Sequence, residues 1–181
     1  MAEEEELLMS MPQHTEQSVK PIKFWSSDQS KDSNYLQSRV IKTIRDAKNC
    51  ICVQVYKFSS DDVKNELVDA HSQGCTVKVL LDKKATKGPQ EDIANMLHRE
   101  GIDVRLDLDC QKAHVKVLII DKKVVLTGSY NLVTRPALKG EEKPRLDNLV
   151  EIHDEQVAHQ FLEVFYRHWR EGLPYKVNKP I

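Results

Sequence analysis

Residues 51–82, ICVQVYKFSSDDVKNELVDAHSQGCTVKVLLD, decide the fold class. Ile51 to Phe58 is rich in β-branched and aromatic side chains and reads as a strand. Ser60 and Asp61 are placed to cap a helix through about Ser72, and Gly74 to end it. Thr76 to Asp82 is a second strand. Working outward, Ile93, Met96 and Leu97 mark another helix, closed by Gly101, and Val104 to Leu108 is a third strand. Upstream, Tyr35, Leu36, Val40, Ile41 and Ile44 fall at helical spacing, with Asp32 or Ser33 as the cap. Strand and helix alternate, which predicts parallel strands joined by right-handed crossovers.

Beyond Leu108 the pattern changes. Ala113 to Ile120 and Lys123 to Thr127 are two strands separated by a very short turn, hence a hairpin. Asn148 to Ile152 is a last strand. Asp154 opens a long amphipathic helix to about Arg170, with Val157, Phe161, Leu162, Phe165 and Trp169 on its apolar stripe. The expectation is an α/β domain with a mixed, largely parallel central sheet flanked by helices. It spans 33–172, after a flexible acidic leader at 1–32 and before a short tail at 173–181. Within the leader, Ile22 to Trp25 is the part able to dock on the body.

Bulk composition excludes little. The 181 residues suit one domain with a substantial core. No apolar run is long enough to span a bilayer. Glu3 to Glu6 replace the basic start of a secretory signal, so an intracellular, cytoplasmic protein without stable membrane insertion is expected. Residues 1–22 carry five glutamates and one lysine against a formal net charge of −1, which leaves the body mildly basic. Cys50, Cys52, Cys75 and Cys110 form no CxxC pair and read as reduced thiols rather than a metal site.

The chemistry concentrates in His114-Val-Lys116-Val-Leu-Ile-Ile-Asp121 and Gly128-Ser129-Tyr130-Asn131. Alternation along a strand puts His114, Lys116 and Leu118 on one face, with Val115, Val117 and Ile119 facing the core. A two-residue turn at Lys122–Lys123 would pair Asp121 with Val124, Lys116 with Ser129 and His114 with Asn131. An imidazole, an ammonium, a hydroxyl and an amide would then converge. Such a set suits a phosphodiester: donors and positive charge stabilise the phosphorus centre, and a neutral imidazole can attack it. One histidine cannot be nucleophile and leaving-group acid in the same step, so a second histidine is needed across the phosphate.

The string HxK-x4-D, then six residues, then GSxN, resembles the signature of the phospholipase D superfamily. Six fixed residues at this spacing arise by chance at about one in a hundred million per start position. The resemblance covers roughly residues 35–170. It is greatest to small single-motif members, which include bacterial endonucleases and the mitochondrial cardiolipin hydrolase group. It implies that His114 is the nucleophile, that Lys116, Ser129 and Asn131 bind phosphate, and that Asp121 holds the motif structurally. It also implies a homodimer sharing one active site, in accord with the need for a second histidine. No metal or other cofactor is expected. The family usually carries a glutamate after GSxN that orients the imidazole. Here Asp147, in Arg145-Leu146-Asp147-Asn148, occupies that place with a shorter arm, and Glu151 is the alternative. His153 is a weaker candidate for a second acid.

The expected activity is therefore phosphodiester hydrolysis through a phosphohistidine. Basic residues from Lys83 to Arg145, among them Lys122 and Lys123, favour nucleic acid as substrate, cut with little sequence preference. A phospholipid is the alternative substrate. A catalytically impaired nucleic-acid-binding protein is a further reading.

Overall fold

The computed structural model describes residues 22–108, 114–133 and 146–177. The rest of the leader, Cys110, the 134–145 segment with Arg145, and the end of the tail lie outside the described residues.

The elements are β1 (Ile22–Ser26), α1 (Tyr35–Arg45), β2 (Cys50–Val55), α2 (Asp61–Ser72), β3 (Thr76–Asp82), α3 (Pro89–Arg99), β4 (Asp103–Asp107), β5 (Lys116–Ile120), β6 (Val124–Gly128), β7 (Asn148–His153), α4 (Glu155–Glu171) and β8 (Leu173–Pro174). A single eight-stranded sheet runs in the order β1-β7-β6-β5-β2-β3-β4-β8. It is mixed, as expected, but the parallel part is confined to β2, β3 and β4. All other neighbours pair antiparallel. The expectation of a largely parallel sheet is corrected accordingly: the hairpin and the two edge strands add only antiparallel ladders. Those edges, β1 and β8, come from the stretches read as leader and tail.

Local chemistry explains the element ends. Ser60 Oγ accepts the Val63 N–H at 3.2 Å and caps α2. Asp154 Oδ1 accepts Gln156 N at 2.8 Å and Val157 N at 3.2 Å and caps α4. For α1 the cap position is Asn34, one residue beyond Ser33 and two beyond Asp32, the expected caps. Asp32 instead bonds the approach, its Oδ1 accepting Asn34 N at 2.9 Å.

The sheet is covered on both faces. Leu118 and Ile120 join Ile51, Val53, Val55, Val79 and Leu81 in a core that includes side chains of α1, α2 and α3. Val117, Ile119, Cys52, Leu80 and Val125 pack with Ala158, Leu162, Phe165 and Trp169 of α4. The expectation that only the Val117/Ile119 side of β5 is core is therefore corrected. A central strand with helices on both sides reads as an unbroken apolar run, as VLII does.

The sheet's polarity places the chemistry. Because Val55 pairs with Lys116 and β5 runs against β2, the start of β5 sits at the C-terminal ends of β2, β3 and β4. Ser129 follows the end of β6, and Asp147 precedes β7, at that same end. Open sheets with parallel strands bind ligands at this edge.

Candidate active site

Lys116 opens β5 and is only 7% exposed. Its ammonium donates to the carbonyl of His114 at 3.0 Å and lies 5.8 Å from the centre of the Tyr56 ring. Burial pushes its pKa below the ordinary lysine value, and the nearby Asp147 carboxylate opposes that shift. The Thr127 hydroxyl donates to the Lys116 carbonyl at 3.1 Å and fixes the backbone from the β6 side. His114 itself is exposed, and its ring sits 5.0 Å from the Tyr56 ring, tilted by 54°. A desolvated cation thus bonds the backbone of a residue whose imidazole is accessible, and the Tyr56 ring lies near both.

The hairpin differs from the expected register by one residue. Ile120, not Asp121, pairs with Val124, and Val117 pairs with Thr127. Asp121 and Lys122 carry the turn in the left-handed region, at φ 52° and 59°, and Lys123 N donates to Ile120 O at 2.9 Å. Continuing this register puts Gly128, not Ser129, level with Lys116. Ser129 and Asn131 reach the site differently, by leaving the ladder after Gly128. Leu132 then makes a parallel bridge with Phe58 just past β2.

Gly128 permits that departure. A Cβ there would press into the Asn148 carbonyl and lie 2.8 Å from Asn148 Oδ1. Ser129 is held on the Asn148 side: its N–H donates to Asn148 Oδ1 at 3.1 Å, and its Oγ accepts Asn148 N at 3.0 Å. The Ser129 hydroxyl donates to Asp147 Oδ1 at 2.8 Å. Asn131 Oδ1 accepts the N–H of Lys57 at 3.2 Å. That bond commits the amide oxygen to the backbone and leaves the amide nitrogen as the group able to donate to a ligand.

Asp147, expected to bond the imidazole, accepts the Ser129 hydroxyl and acts electrostatically on Lys116. Its backbone is clamped by Ser27, whose N–H donates to Asp147 O at 2.9 Å and whose Oγ accepts Asp147 N at 3.0 Å. Glu151, the alternative, is buried farther along β7 and engaged by Lys23 at 2.8 Å and by His153. Burial pushes the Glu151 carboxyl up, but these two partners outweigh that and hold it below the usual range. This pairing also occupies His153.

Asp121 lies at the opposite end of β5. Its carboxylate accepts the N–H groups of Lys48 (2.8 Å), Asn49 (2.7 Å) and Cys50 (3.0 Å), tying the α1–β2 turn to the hairpin. Burial raises its pKa, and the three backbone donors outweigh that, so the carboxyl stays below its ordinary value. Lys122 and Lys123 share that far end, so of the basic residues counted toward a nucleic-acid substrate these two stand away from the site. Lys57, Lys83, Lys84 and Lys87 are exposed and stand at the C-terminal ends of β2 and β3 or just after them.

Sequence reasoning passed over Tyr56, Thr127 and Ser27. Tyr56 had a usable signal, since it is the residue that follows a parallel strand on its C-terminal side. Ser27 had none, because its contact with Asp147 joins distant parts of the chain. Among the described residues no helix is long and apolar enough to cross a membrane.

Comparison with known proteins agrees with this geometry. Residues 40–169 match the family model described as "Cardiolipin synthase, PLD-like domain". The chain is 32% identical over 127 residues to a phospholipase D of Rickettsia typhi, covering 70% of this chain and 59% of that protein. It is 33% identical over 141 residues to a dog mitochondrial cardiolipin hydrolase, covering 77% of this chain and 52% of that protein. The chain thus spans between half and three-fifths of these relatives' length. Among solved structures it is similar to Nuc from Salmonella typhimurium, a phospholipase D family member, with TM-score 0.74, 28% identity, and coverage of 86% of this chain and 98% of Nuc. With the HxK-x4-D and GSxN strings at one end of a mixed sheet and most of the chain matched, this protein belongs to the phospholipase D-like family.

Proposed function

We propose that this protein hydrolyses phosphodiesters without a metal, through a phosphohistidine on His114. The observation that carries the reading is the buried Lys116 ammonium bonded to the backbone carbonyl of His114, whose imidazole is exposed. A neutral ring nitrogen attacks phosphorus, the P–O bond to the leaving alcohol breaks, and Lys116 with the Asn131 amide offsets charge on the non-bridging oxygens. The His114 of the partner subunit protonates the departing alkoxide. It then takes a proton from water, which attacks the phosphohistidine, breaks the P–N bond and releases a phosphomonoester. The homodimer supplies this second imidazole.

The substrate class we favour is nucleic acid. Lys57, Lys83, Lys84 and Lys87 offer exposed positive charge beside the site, suited to a polyanionic backbone and blind to sequence. A phospholipid reading has its own support. The relatives named above act, by name, on phospholipid, and Leu108 and Leu146 are 41% and 71% exposed at the site end of the sheet.

The test incubates the protein in excess EDTA with labelled single-stranded DNA, RNA, and cardiolipin or phosphatidylcholine vesicles, beside His114→Ala. Nucleic-acid cleavage that survives EDTA and is lost in the variant is the expected result. Lipid turnover with intact nucleic acid would replace the substrate class and keep the mechanism. Equal inertness of both proteins would overturn the reading in favour of a binding protein.

A further inference from the structure

Tyr56 stands one residue beyond β2, and the sheet fixes its backbone. Its N–H donates to Val115 O at 2.9 Å, between the Val55–Lys116 pair and His114. The next residue, Lys57, is fixed in turn by Asn131. The Tyr56 side chain therefore projects from a rigid base. Its ring lies 5.0 Å from the His114 ring and 5.8 Å from Lys116 Nζ. One side chain thus touches both members of the pair that the proposed mechanism uses.

His114 needs such a neighbour. It precedes β5, is exposed, and carries a ring whose terminal torsion is broad when nothing restrains it. The carboxylate expected to restrain it, Asp147, is bonded to Ser129. Lys116 has a matching need. A desolvated ammonium gains from the negative face of an aromatic ring. The tilted contact with one residue and the cation contact with the other come from the same ring.

We propose that Tyr56 is the positioning residue of the His114–Lys116 pair: its ring orients the imidazole of His114 and steadies the ammonium of Lys116. This rests on the reading of His114 as nucleophile. It assigns the role to the aromatic ring and not to the hydroxyl.

The test uses the full chain with Tyr56→Leu, Tyr56→Met and Tyr56→Phe, and bis(4-nitrophenyl) phosphate as the diester. Loss of the ring is expected to lower kcat about 10- to 100-fold, the scale of a misplaced reacting group, with KM changed by less than about twofold. Tyr56→Phe keeps the ring and restores kcat to within about threefold of wild type. A second readout needs no turnover. The imidazole resonances of His114, assigned by their loss in His114→Asn, should shift in Tyr56→Leu and Tyr56→Met and stay close to wild type in Tyr56→Phe. Unchanged His114 resonances in the ring-less variants overturn the proposal. So does a Tyr56→Phe that falls as far as Tyr56→Leu. Resonances that respond to loss of the ring, in a protein that hydrolyses no diester, support the contact and overturn the nucleophile reading instead.

Discussion

Ser129 and Asp147 are joined at 2.8 Å, the hydroxyl donating to the carboxylate, while the same Ser129 oxygen accepts the Asn148 N–H. The serine proton therefore faces Asp147, and Ser129 can donate to a phosphate only by turning away from it. Asp147 also favours the charged form of Lys116, against the burial that disfavours it. Removing the carboxylate should release the serine and weaken the cation together.

Asp147→Asn is expected to lower the Lys116 pKa further, because a favourable negative charge is lost. If activity needs the ammonium, the alkaline limb of the kcat profile moves to lower pH in the variant, and kcat at neutral pH falls by about tenfold or less. A pH–rate series on wild type and variant measures this. An alkaline limb that stays in place would separate Asp147 from Lys116 and leave it only the anchoring of Ser129.

Asp121 is expected to matter for stability and not for chemistry. Four strand steps of about 3.3 Å separate Lys116 from Ile120, so Asp121 sits well over 10 Å from the reacting groups. Its three N–H donors hold the folded-state pKa down. A depressed carboxyl pKa contributes stability above its unfolded value, and that contribution is lost as pH falls through the folded value. Asp121→Asn should lower unfolding free energy by about 1–2 kcal/mol at pH 7. The deficit should shrink toward pH 3, with kcat per folded molecule nearly unchanged. Urea melts at both pH values decide it, and a deficit independent of pH would contradict the assignment.

Much of this was legible in the sequence, and the remainder follows a physical pattern. Caps such as Ser60 and Asp154 act within three residues, so local chemistry reveals them. The HxK-x4-D and GSxN strings locate the site because each residue type there has a chemical task. The register of the β5–β6 hairpin was harder. Two-residue and three-residue turns both accommodate DKK, and only the left-handed conformation of Asp121 and Lys122 chooses between them. Contacts that close long loops were not readable at all: Ser27 on Asp147 and Lys23 on Glu151. Nothing local distinguishes these residues from surface polar ones. The extent of antiparallel pairing was missed for the same reason, since β1 and β8 are short edge strands in segments without periodicity.

Gly128→Ala tests the departure of the GSxN segment from β6. The added methyl meets backbone and amide oxygen of Asn148, which are themselves pinned by Ser129. Overpacking of this kind costs about 1–3 kcal/mol. Displacement of Ser129 and Asn131 should also lower kcat/KM by more than the loss of folded protein explains. Thermal melts combined with activity per folded molecule separate the two effects. A variant as stable and active as wild type would show that the segment shifts freely, and that the close approach to Asn148 is not what positions it.

The last prediction concerns the second imidazole. Within one chain the other described histidines lie elsewhere: His71 with Cys75 O at 3.1 Å, His98 against the Tyr175 ring, His153 with Glu151, His159 on α4 beside Lys122, and His168 facing Asp107 at 3.3 Å. None of these pairings joins the His114–Lys116–Tyr56 cluster. If two chains share one phosphate, each catalytic cycle needs both copies of His114, one as nucleophile and one as acid. Wild type and His114→Ala, mixed in equal amounts and refolded together, would then give mixed dimers that lack one of the two groups. Activity per wild-type chain should fall to about half, so total activity is about one quarter of an all-wild-type sample at the same total protein. A site complete within one chain predicts about one half of that total instead. Native mass spectrometry of the refolded mixture, which separates the three dimers by mass, shows whether exchange has occurred. The linear result in an exchanged dimer would assign the acid to a group within the same chain and remove the reason for a shared site.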